Sequence, residues 1–456
     1  MAVNKNFIDM SHGPLFGKII RYALPLMLTY LLQLAFHAAD MVVIGRWGSS
    51  ESLAAIGATG AMTALIINVI TGLSTGTNVL AAQYFGAKDS KHMTRLVHTA
   101  VSISIVGGVA ASLFGFATVK WLVNVTDIPA DSQSKSILYL VICFIGVPFQ
   151  IVYNFGSAIL RAVGNTKSPF YYLTFAGALN LLLNILLVVG CRMDVAGVAI
   201  ATIVSQALSA YLVIRRLQRN HGATRLLLRN LRIDVVQMKK ILRLGVPAGA
   251  QSGCFSISNM VVQAGINSFG VAAVAGTTAG HNVELLLYAF VFAMHHTAIA
   301  VTGQNYGARQ YQRLIKGMYL CVAIMFALNI ITGYTLNYFS PQLVGVFTSD
   351  PEVIRFGVIR AHEMFTVYFL LGFMDVSTGI CRGLGATLIP AIATVLGTCG
   401  VRVLWVRFAL EHFKTIESIF WAYPISWITV TTCNVILLIH LCRKLPQYRK
   451  TSTIKV

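Results

Sequence analysis

Three acidic residues stand in stretches where an acid is expensive. Asp40 lies in the far half of an apolar segment running from Lys18 to Trp47, Glu284 in His281-Asn282-Val283-Glu284, and Asp375 in Gly372-Phe373-Met374-Asp375-Val376. From Ile19 to Gly45 there are enough residues to cross roughly 30 Å of hydrocarbon at about 1.5 Å per residue. An ionisable side chain at that depth costs on the order of 2.5 to 3.5 kcal/mol on insertion scales, so it faces a bundle interior or a wet cavity, where ion-pathway roles are common. Asp40 is suited to carry a proton or hold a cation; Glu284 and Asp375 are suited to draw a cationic solute inward by their field. The bland readings are an Asp40 that reaches the outer interface, and acids that pair with His281, His295 or His296. Pro25, in the near half of the Asp40 segment, removes one backbone hydrogen bond and makes a bend there cheap.

The elements that must position these acids are membrane helices. Of 456 residues, 56% are hydrophobic and 11% charged, far from the composition of a soluble domain. The first apolar run is too long for a signal-peptide core and is expected to remain in the protein. Eight cysteines are scattered, with no Cys-x-x-Cys pair and no metal-type His spacing, so neither disulfides nor zinc are expected. The net charge of +20 comes from Lys and Arg clustered between apolar runs, which is topology and not a nucleic-acid footprint. No Ser/His/Asp set, His-rich motif or Walker loop is present, so enzymatic chemistry, ATP-driven pumping and a resident cofactor are not expected.

Twelve apolar runs, near 19–45, 53–80, 96–122, 136–160, 169–190, 195–217, 241–268, 272–302, 314–340, 353–380, 386–410 and 417–442, predict an all-α polytopic protein. One set of run ends collects Lys5, Lys18 and Arg21; Lys88, Lys91 and Arg95; Arg161 and Lys167; Arg309, Arg313 and Lys316; Arg382; and Arg443 to Lys455, together with the basic link Arg215 to Arg243. The positive-inside rule then places both termini and that link in the cytoplasm, with the link as an amphipathic or coiled tether on the anionic inner leaflet. The halves on either side of it match. Lys18-Ile19-Ile20-Arg21 through Pro25 corresponds to Lys240-Ile241-Leu242-Arg243 through Pro247; Gln83 to Lys88 corresponds to Gln304 to Arg309; and Arg161 to Gly164 with Pro169 corresponds to Arg382 to Gly385 with Pro390. The last two share one shift (304 − 83 = 221; 390 − 169 = 221). A duplicated six-helix unit follows, with an N-terminal lobe 1–214, a cytoplasmic linker 215–240 and a C-terminal lobe 241–456, related by a pseudo-two-fold along the membrane normal. Pro25 and Pro247 are the expected hinges. Gly86 and Gly307 suit tight C-terminal helix caps at structural turns.

With these residues in place the chain resembles the multidrug and toxic compound extrusion (MATE) transporters, bacterial type, of the MOP flippase superfamily, over nearly its whole length. The match is carried by Ala39-Asp40-Met41 and Ile44-Gly45-Arg46, the two Gln-x-x-Gly-Ala motifs, Ile159 to Asn165, Gln251-Ser252, Ile266 to Gly270, Phe347 to Pro351 and Arg382 to Gly385. The resemblance implies a secondary active antiporter of the bacterial plasma (inner) membrane that exports amphipathic, cationic drugs or metabolites in exchange for H⁺ or Na⁺ by alternating access. It implies a first-lobe cation site at Asp40, Asn180, Asn184 and Thr202, a Na⁺ site if Na⁺ is the coupling ion, with Tyr139 as a nearby hydrogen-bond partner. The spacing of Asn180 and Asn184 puts both amides on one helical face. Many relatives carry an acid where this chain has Asn184, which leaves Asp40 as the one ionisable group there. Asp375 resembles an acid used for coupling in one branch of the family, although the Glu that branch adds on its seventh helix has no counterpart in Cys254 to Asn259. The expected partners are a small amphipathic substrate and membrane lipids, with the chain acting as a monomer. The alternative is a lipid-linked saccharide or lipid flippase of the same superfamily, which would line its cleft with basic residues.

Overall fold

A computed structural model describes residues 7–125 and 130–446; the expected cytoplasmic bases Lys5, Arg449, Lys450 and Lys455 lie outside the described residues. Every regular element among the described residues is helical. The first half of the chain forms α1 Leu15–Trp47, α2 Ser50–Gly86, α3 Ser90–Val125, α4 Ala130–Ala162, α5 Lys167–Asn184 and α6 Asp194–Arg219. The second forms α7 Val235–Asn267, α8 Val271–Gly307, α9 Tyr311–Tyr338, the short α10 Ser340–Gly345, α11 Pro351–Phe365, α12 Phe369–Gly383, α13 Leu388–Thr394, α14 Arg402–His412, α15 Ile416–Phe420 and α16 Ala422–Arg443. π-Helical turns Ile185–Gly190 and Val395–Val401 extend α5 and join α13 to α14. Among the described residues ten spans are long and apolar enough to cross a membrane, and α11 with α12, bent by 50°, makes an eleventh. α7 is long enough but less apolar, because Gln251, Ser252, Ser256, Ser258 and Asn259 punctuate its charge-free part.

The link between the halves is shorter than the span 215–240 read from the sequence. α6 runs on to Arg219, and α7 starts at Val235 because Asp234 caps it: its Oδ1 accepts the backbone N–H groups of Val236 (3.0 Å) and Gln237 (3.1 Å). Such a cap satisfies amides a helix start otherwise leaves bare. Only the short 3₁₀ turns Gly222–Thr224 and Leu228–Asn230 interrupt the extended chain between.

Two compact units emerge, Met1–Ile8 with Leu28–Val246 and Asp9–Met27 with Pro247–Val456. Their divisions fall inside α1 and α7, within a few residues of Pro25 and at Pro247, where the sequence reading placed lobe boundaries in the linker. Hydrogen bonds explain the difference. In the second unit the Gln304 side-chain oxygen accepts the Met10 N–H (2.7 Å), and Arg313 donates to the carbonyls of Met10 (2.8 Å), His12 (2.9 Å) and Gly13 (2.6 Å). In the first, Tyr84 donates to Gln237 (3.2 Å) and the Asp234 N–H donates to Thr99 (3.1 Å). The segment leading into each proline-containing helix is thus tied to the turn motif of the other repeat.

Those turns are built differently from the expectation. Gly86 and Gly307 are the last helical residues, and the left-handed positions are the basic residues that follow, Lys88 at φ 55° and Arg309 at φ 56°. Asp89 N–H then bonds the Tyr84 carbonyl (3.0 Å) and Gln310 N–H the Asn305 carbonyl (2.9 Å), closing both helix ends. Within the units α4 packs on α2, α3 and α6, and α8 on α9, α11 and α12. Gly108 of α3 lies so close to the backbone of Pro148 that a Cβ would strike it, and Ser112 one turn on donates to the Phe144 carbonyl (2.6 Å). Close approach of this kind is how helices gain contact where lipid removes the hydrophobic drive.

Candidate functional site

The first unit brings together four of its five expected residues as one hydrogen-bonded chain. α1 supplies Asp40, α5 supplies Asn180 and Asn184 one turn apart, and α6 supplies Thr202. The Asn184 amide N–H₂ donates to Asp40 Oδ1 and to Asn180 Oδ1 (3.2 Å); Asn180 Nδ2 lies 3.5 Å from Thr202 Oγ1, which donates to the Val198 carbonyl (2.9 Å). Asn180 and Asn184 are buried, while Asp40 is half-buried at the edge of an apolar cluster of Val43, Ile44, Ala55, Ile56, Val188, Val195 and Val198. The π-helical turn begins directly after Asn184, a distortion that recurs at functional positions. Tyr139 of α4 packs against the apolar cluster and, among the described residues, makes no hydrogen bond to the four polar groups.

Asp40 faces an amide, not a counterion, and Asn184 Oδ1 is buried with no hydrogen-bond partner. A half-turn of the Asn184 amide exchanges its nitrogen and oxygen. The oxygen would then accept from a protonated Asp40, or join Asp40, Asn180 Oδ1 and Thr202 Oγ1 around a hard cation that prefers oxygen ligands. One carboxylate and an adaptable amide can thus serve either a proton or Na⁺.

The second unit treats its acids differently. Glu284 Oε2 is gripped by Arg360 through Nη2 (2.7 Å) and Nε (3.1 Å), with His281 Nδ1 3.5 Å away. Both side chains of the pair are buried, and the Arg360 guanidinium lies over the Phe420 and Tyr423 rings. Glu284 is thereby neutralised, which removes it from the role of attracting a cationic solute. Asp375 remains half-buried, and among the described residues no ion pair or hydrogen bond holds its carboxylate; its backbone carbonyl accepts His295 Nδ1–H (2.8 Å). That bond fixes the His295 proton on Nδ1, leaving Nε2 to accept from Arg382 Nη1 (3.2 Å). Arg382 Nη2 donates to Gln251 Oε1 (2.7 Å), whose amide N–H₂ reaches Thr394 (2.8 Å).

Sequence reasoning missed three buried guanidiniums here. It assigned Arg382 to a cytoplasmic helix end and gave no role to Arg360 or Arg402. Arg402 is fully buried, donates to Ser426 (2.9 Å) and Asn259 (2.9 Å), and lies over Phe255 and Tyr423, with no carboxylate hydrogen-bonded to it among the described residues. The available signal was an arginine well inside an apolar run, in Gly357-Val358-Ile359-Arg360 and Gly400-Val401-Arg402-Val403.

Comparison with known proteins adds an independent line. The MatE family profile matches residues 25–186 and 247–405. The chain is 24% identical to the probable multidrug resistance protein YoeA of Bacillus subtilis (strain 168) over 419 residues, 89% of each chain. It is 24% identical to a protein named FAD transporter from Shewanella oneidensis over 428 residues, 91% of this chain and 92% of that one. A solved structure described as the outward-facing conformation of a multidrug resistance MATE family transporter of the MOP superfamily superposes with a TM-score of 0.90 at 21% identity, covering 98% of this chain and 100% of that one. At that identity the structural likeness speaks for the fold.

Proposed function

Because the chain belongs to the MatE family of multidrug and toxic compound extrusion transporters, and is a multi-pass membrane protein of that all-helical fold, we propose that it is a secondary antiporter. It exports amphipathic, cationic compounds in exchange for H⁺ or Na⁺ by alternating access, flexing at Pro25 and Pro247. The observation that carries this reading is the Asp40–Asn184–Asn180–Thr202 chain: one carboxylate at membrane depth, held by amides that can reorganise around one positive charge. Asp375, whose carboxylate is held by no hydrogen bond or ion pair among the described residues and feels only the nearby Arg382 charge, is the second acid available to a cationic substrate or to coupling; Glu284 is not, because Arg360 occupies it. The protein acts as a monomer in the bacterial plasma (inner) membrane, with both termini and the link 220–234 in the cytoplasm.

The test is counterflow of a fluorescent cationic drug in proteoliposomes under separate Na⁺ and pH gradients. Wild-type protein should respond to at least one gradient, and Asp40→Asn, which keeps size but removes charge and titration, should reduce driven transport to the leak of empty vesicles. Normal driven efflux by Asp40→Asn under both gradients would falsify the first-unit mechanism. For orientation, a reporter inserted between Asn220 and Asn230 should score cytoplasmic and one near Ser132 external; the reverse pattern sinks the topology.

One observation favours the flippase reading. The second unit buries Arg360, Arg382 and Arg402, three guanidiniums against the two carboxylates Glu284 and Asp375, and among the described residues no carboxylate is hydrogen-bonded to Arg402. Excess buried positive charge suits an anionic amphiphile, and the relative named FAD transporter carries an anionic cargo by name. Competition by anionic against cationic amphiphiles in the same vesicles separates the two readings.

A further inference from the structure

The first unit holds a polar cavity of about 390 Å³ at the end opposite the Asp40 chain, lined by Thr94, Arg95, His98, Arg229, Asn230, Leu231 and Arg232. Its size falls in the range of about 300–1,000 Å³ typical of small-molecule sites. α3 supplies one wall and the link the other. His98 is a strut between them: Nδ1–H donates to the Thr94 carbonyl (2.8 Å), and Nε2 accepts the Leu227 N–H (3.2 Å), so both ring nitrogens are committed to holding the loop. Thr94 Oγ1 adds a bond to the Ala223 carbonyl (3.2 Å). The loop geometry is therefore set without the arginines. Of these, Arg95 faces Asp234 at 3.5 Å, while Asp234 also caps α7. Arg229 and Arg232 are exposed, and among the described residues neither has an ion pair or hydrogen bond. Three guanidiniums thus line the cavity, and among the described residues only Arg95 has a carboxylate beside it.

We propose that this cavity is a binding site for a phosphate ester, held by Arg229 and Arg232 with Arg95 as a third lining guanidinium. A guanidinium fork matches two phosphate oxygens at once, and two unpaired forks across one cavity select a phosphate over a simple halide. The surroundings favour an anionic phospholipid headgroup as the source. Leu227, Leu228, Ile233, Val235 and Val236 alternate with the basic residues along the link and are all exposed, which offers apolar surface to acyl chains beside a basic rim. Basic clusters immediately beside membrane helices attract anionic lipid, each Lys or Arg adding to the attraction. A soluble phosphate ester shares the same headgroup chemistry, and the experiment distinguishes the two. This site does not depend on the efflux reading.

Native mass spectrometry of the full delipidated chain, titrated with phosphatidylglycerol, phosphatidylcholine or glycerol 1-phosphate, measures binding directly. Phosphatidylglycerol should bind wild type more tightly than phosphatidylcholine, and Arg229→Gln/Arg232→Gln should weaken it about tenfold or more. The control Arg219→Gln/Arg225→Gln removes the same charge from exposed positions of the same region outside the cavity, and should change binding less than about twofold. Tight binding of glycerol 1-phosphate that the first double variant abolishes supports the phosphate site and assigns a soluble ligand. Equal losses in the two double variants reduce the effect to diffuse charge and overturn the proposal, as does failure of every phosphate probe to bind better than phosphatidylcholine.

Discussion

Asp40 and Glu284 are both carboxylates in the interior of membrane helices, one in each unit, and their surroundings give them opposite fates. Asp40 accepts a hydrogen bond from an uncharged amide whose own oxygen is buried and, among the described residues, unpartnered. Glu284 accepts two hydrogen bonds from a buried arginine that is itself stacked on two aromatic rings. An ion pair built this way is costly to break, because removing one partner strands a charge in a low-dielectric interior. An amide partner leaves the carboxylate able to gain a proton or a cation and lose it again. The comparison teaches that membrane depth alone does not mark a coupling residue; the partner decides.

The largest expected effect breaks the pair. Arg360→Met should destabilise the protein by about 3–5 kcal/mol because Glu284 is left buried and unpaired. Glu284→Gln in the same chain should recover much of that loss. Thermal unfolding of the purified single and double variants in one detergent reads this out, and an Arg360→Met protein as stable as wild type would make Glu284 a candidate for chemistry again. Asp40→Asn provides the contrast in the same assay: its unfolding midpoint should stay at or above the wild-type value, since it removes a desolvated charge.

A smaller effect sharpens the first-unit side. Asn184→Ala removes two hydrogen bonds and should cost about 0.6–2 kcal/mol, the range found for polar contacts between membrane helices. Asn184→Asp supplies a second acid and should steepen the Na⁺ dependence of transport if the four oxygens form a cation cage. Unchanged Na⁺ response in the Asp variant would leave the proton as the coupling ion.

The smallest effect comes from a carboxylate at a wet helix end, where water supplies what the interior denies. Asp89 caps α3, accepting the His92 N–H (3.1 Å) and facing the His92 ring (2.6 Å). The His92 backbone N–H holds the Asp89 carboxyl below its usual range. A carboxylate lowered on folding adds stability above its unfolded value, near about 3.9, and loses it as pH falls through the lowered one. The midpoint difference between wild type and Asp89→Asn should therefore be present at neutral pH and shrink as the pH is brought below about 4. A difference that grows on acidification would contradict the sign.

Much of the architecture was legible because membrane helices announce themselves. A bilayer forces every backbone group into internal hydrogen bonds, so apolar length translates directly into spans. The run at 96–122 lies within α3, and the runs at 241–268 and 314–340 end one and two residues past the continuous helices α7 and α9. The repeat matches at Gln83 and Gln304 fall at equivalent helix ends, although the left-handed residues there are Lys88 and Arg309 and not the glycines. The first-unit residues could be named because the family resemblance points to them; of their contacts only the Asn180–Asn184 pair, one turn apart on α5, is local, while Asp40 lies 144 residues from Asn184.

What the linear chain determined was what composition, periodicity and internal repeats set, a helical membrane protein, a duplicated plan and a set of acids too deep to be ordinary, and, through the resemblance its motifs carry, a family. What only tertiary structure decided were the partners. Arg360 lies 76 residues from Glu284 and Arg382 lies 131 residues from Gln251; no spacing rule links such positions, because the contact is made by helices packing side by side. The same holds for the exchange of segment 9–27, which neighbours the first lobe in sequence yet docks through Gln304 and Arg313 on the second. Hydrogen-bonding and ion-pair energies depend on which groups share a dry interior, and that is a property of the packed fold that local sequence does not encode.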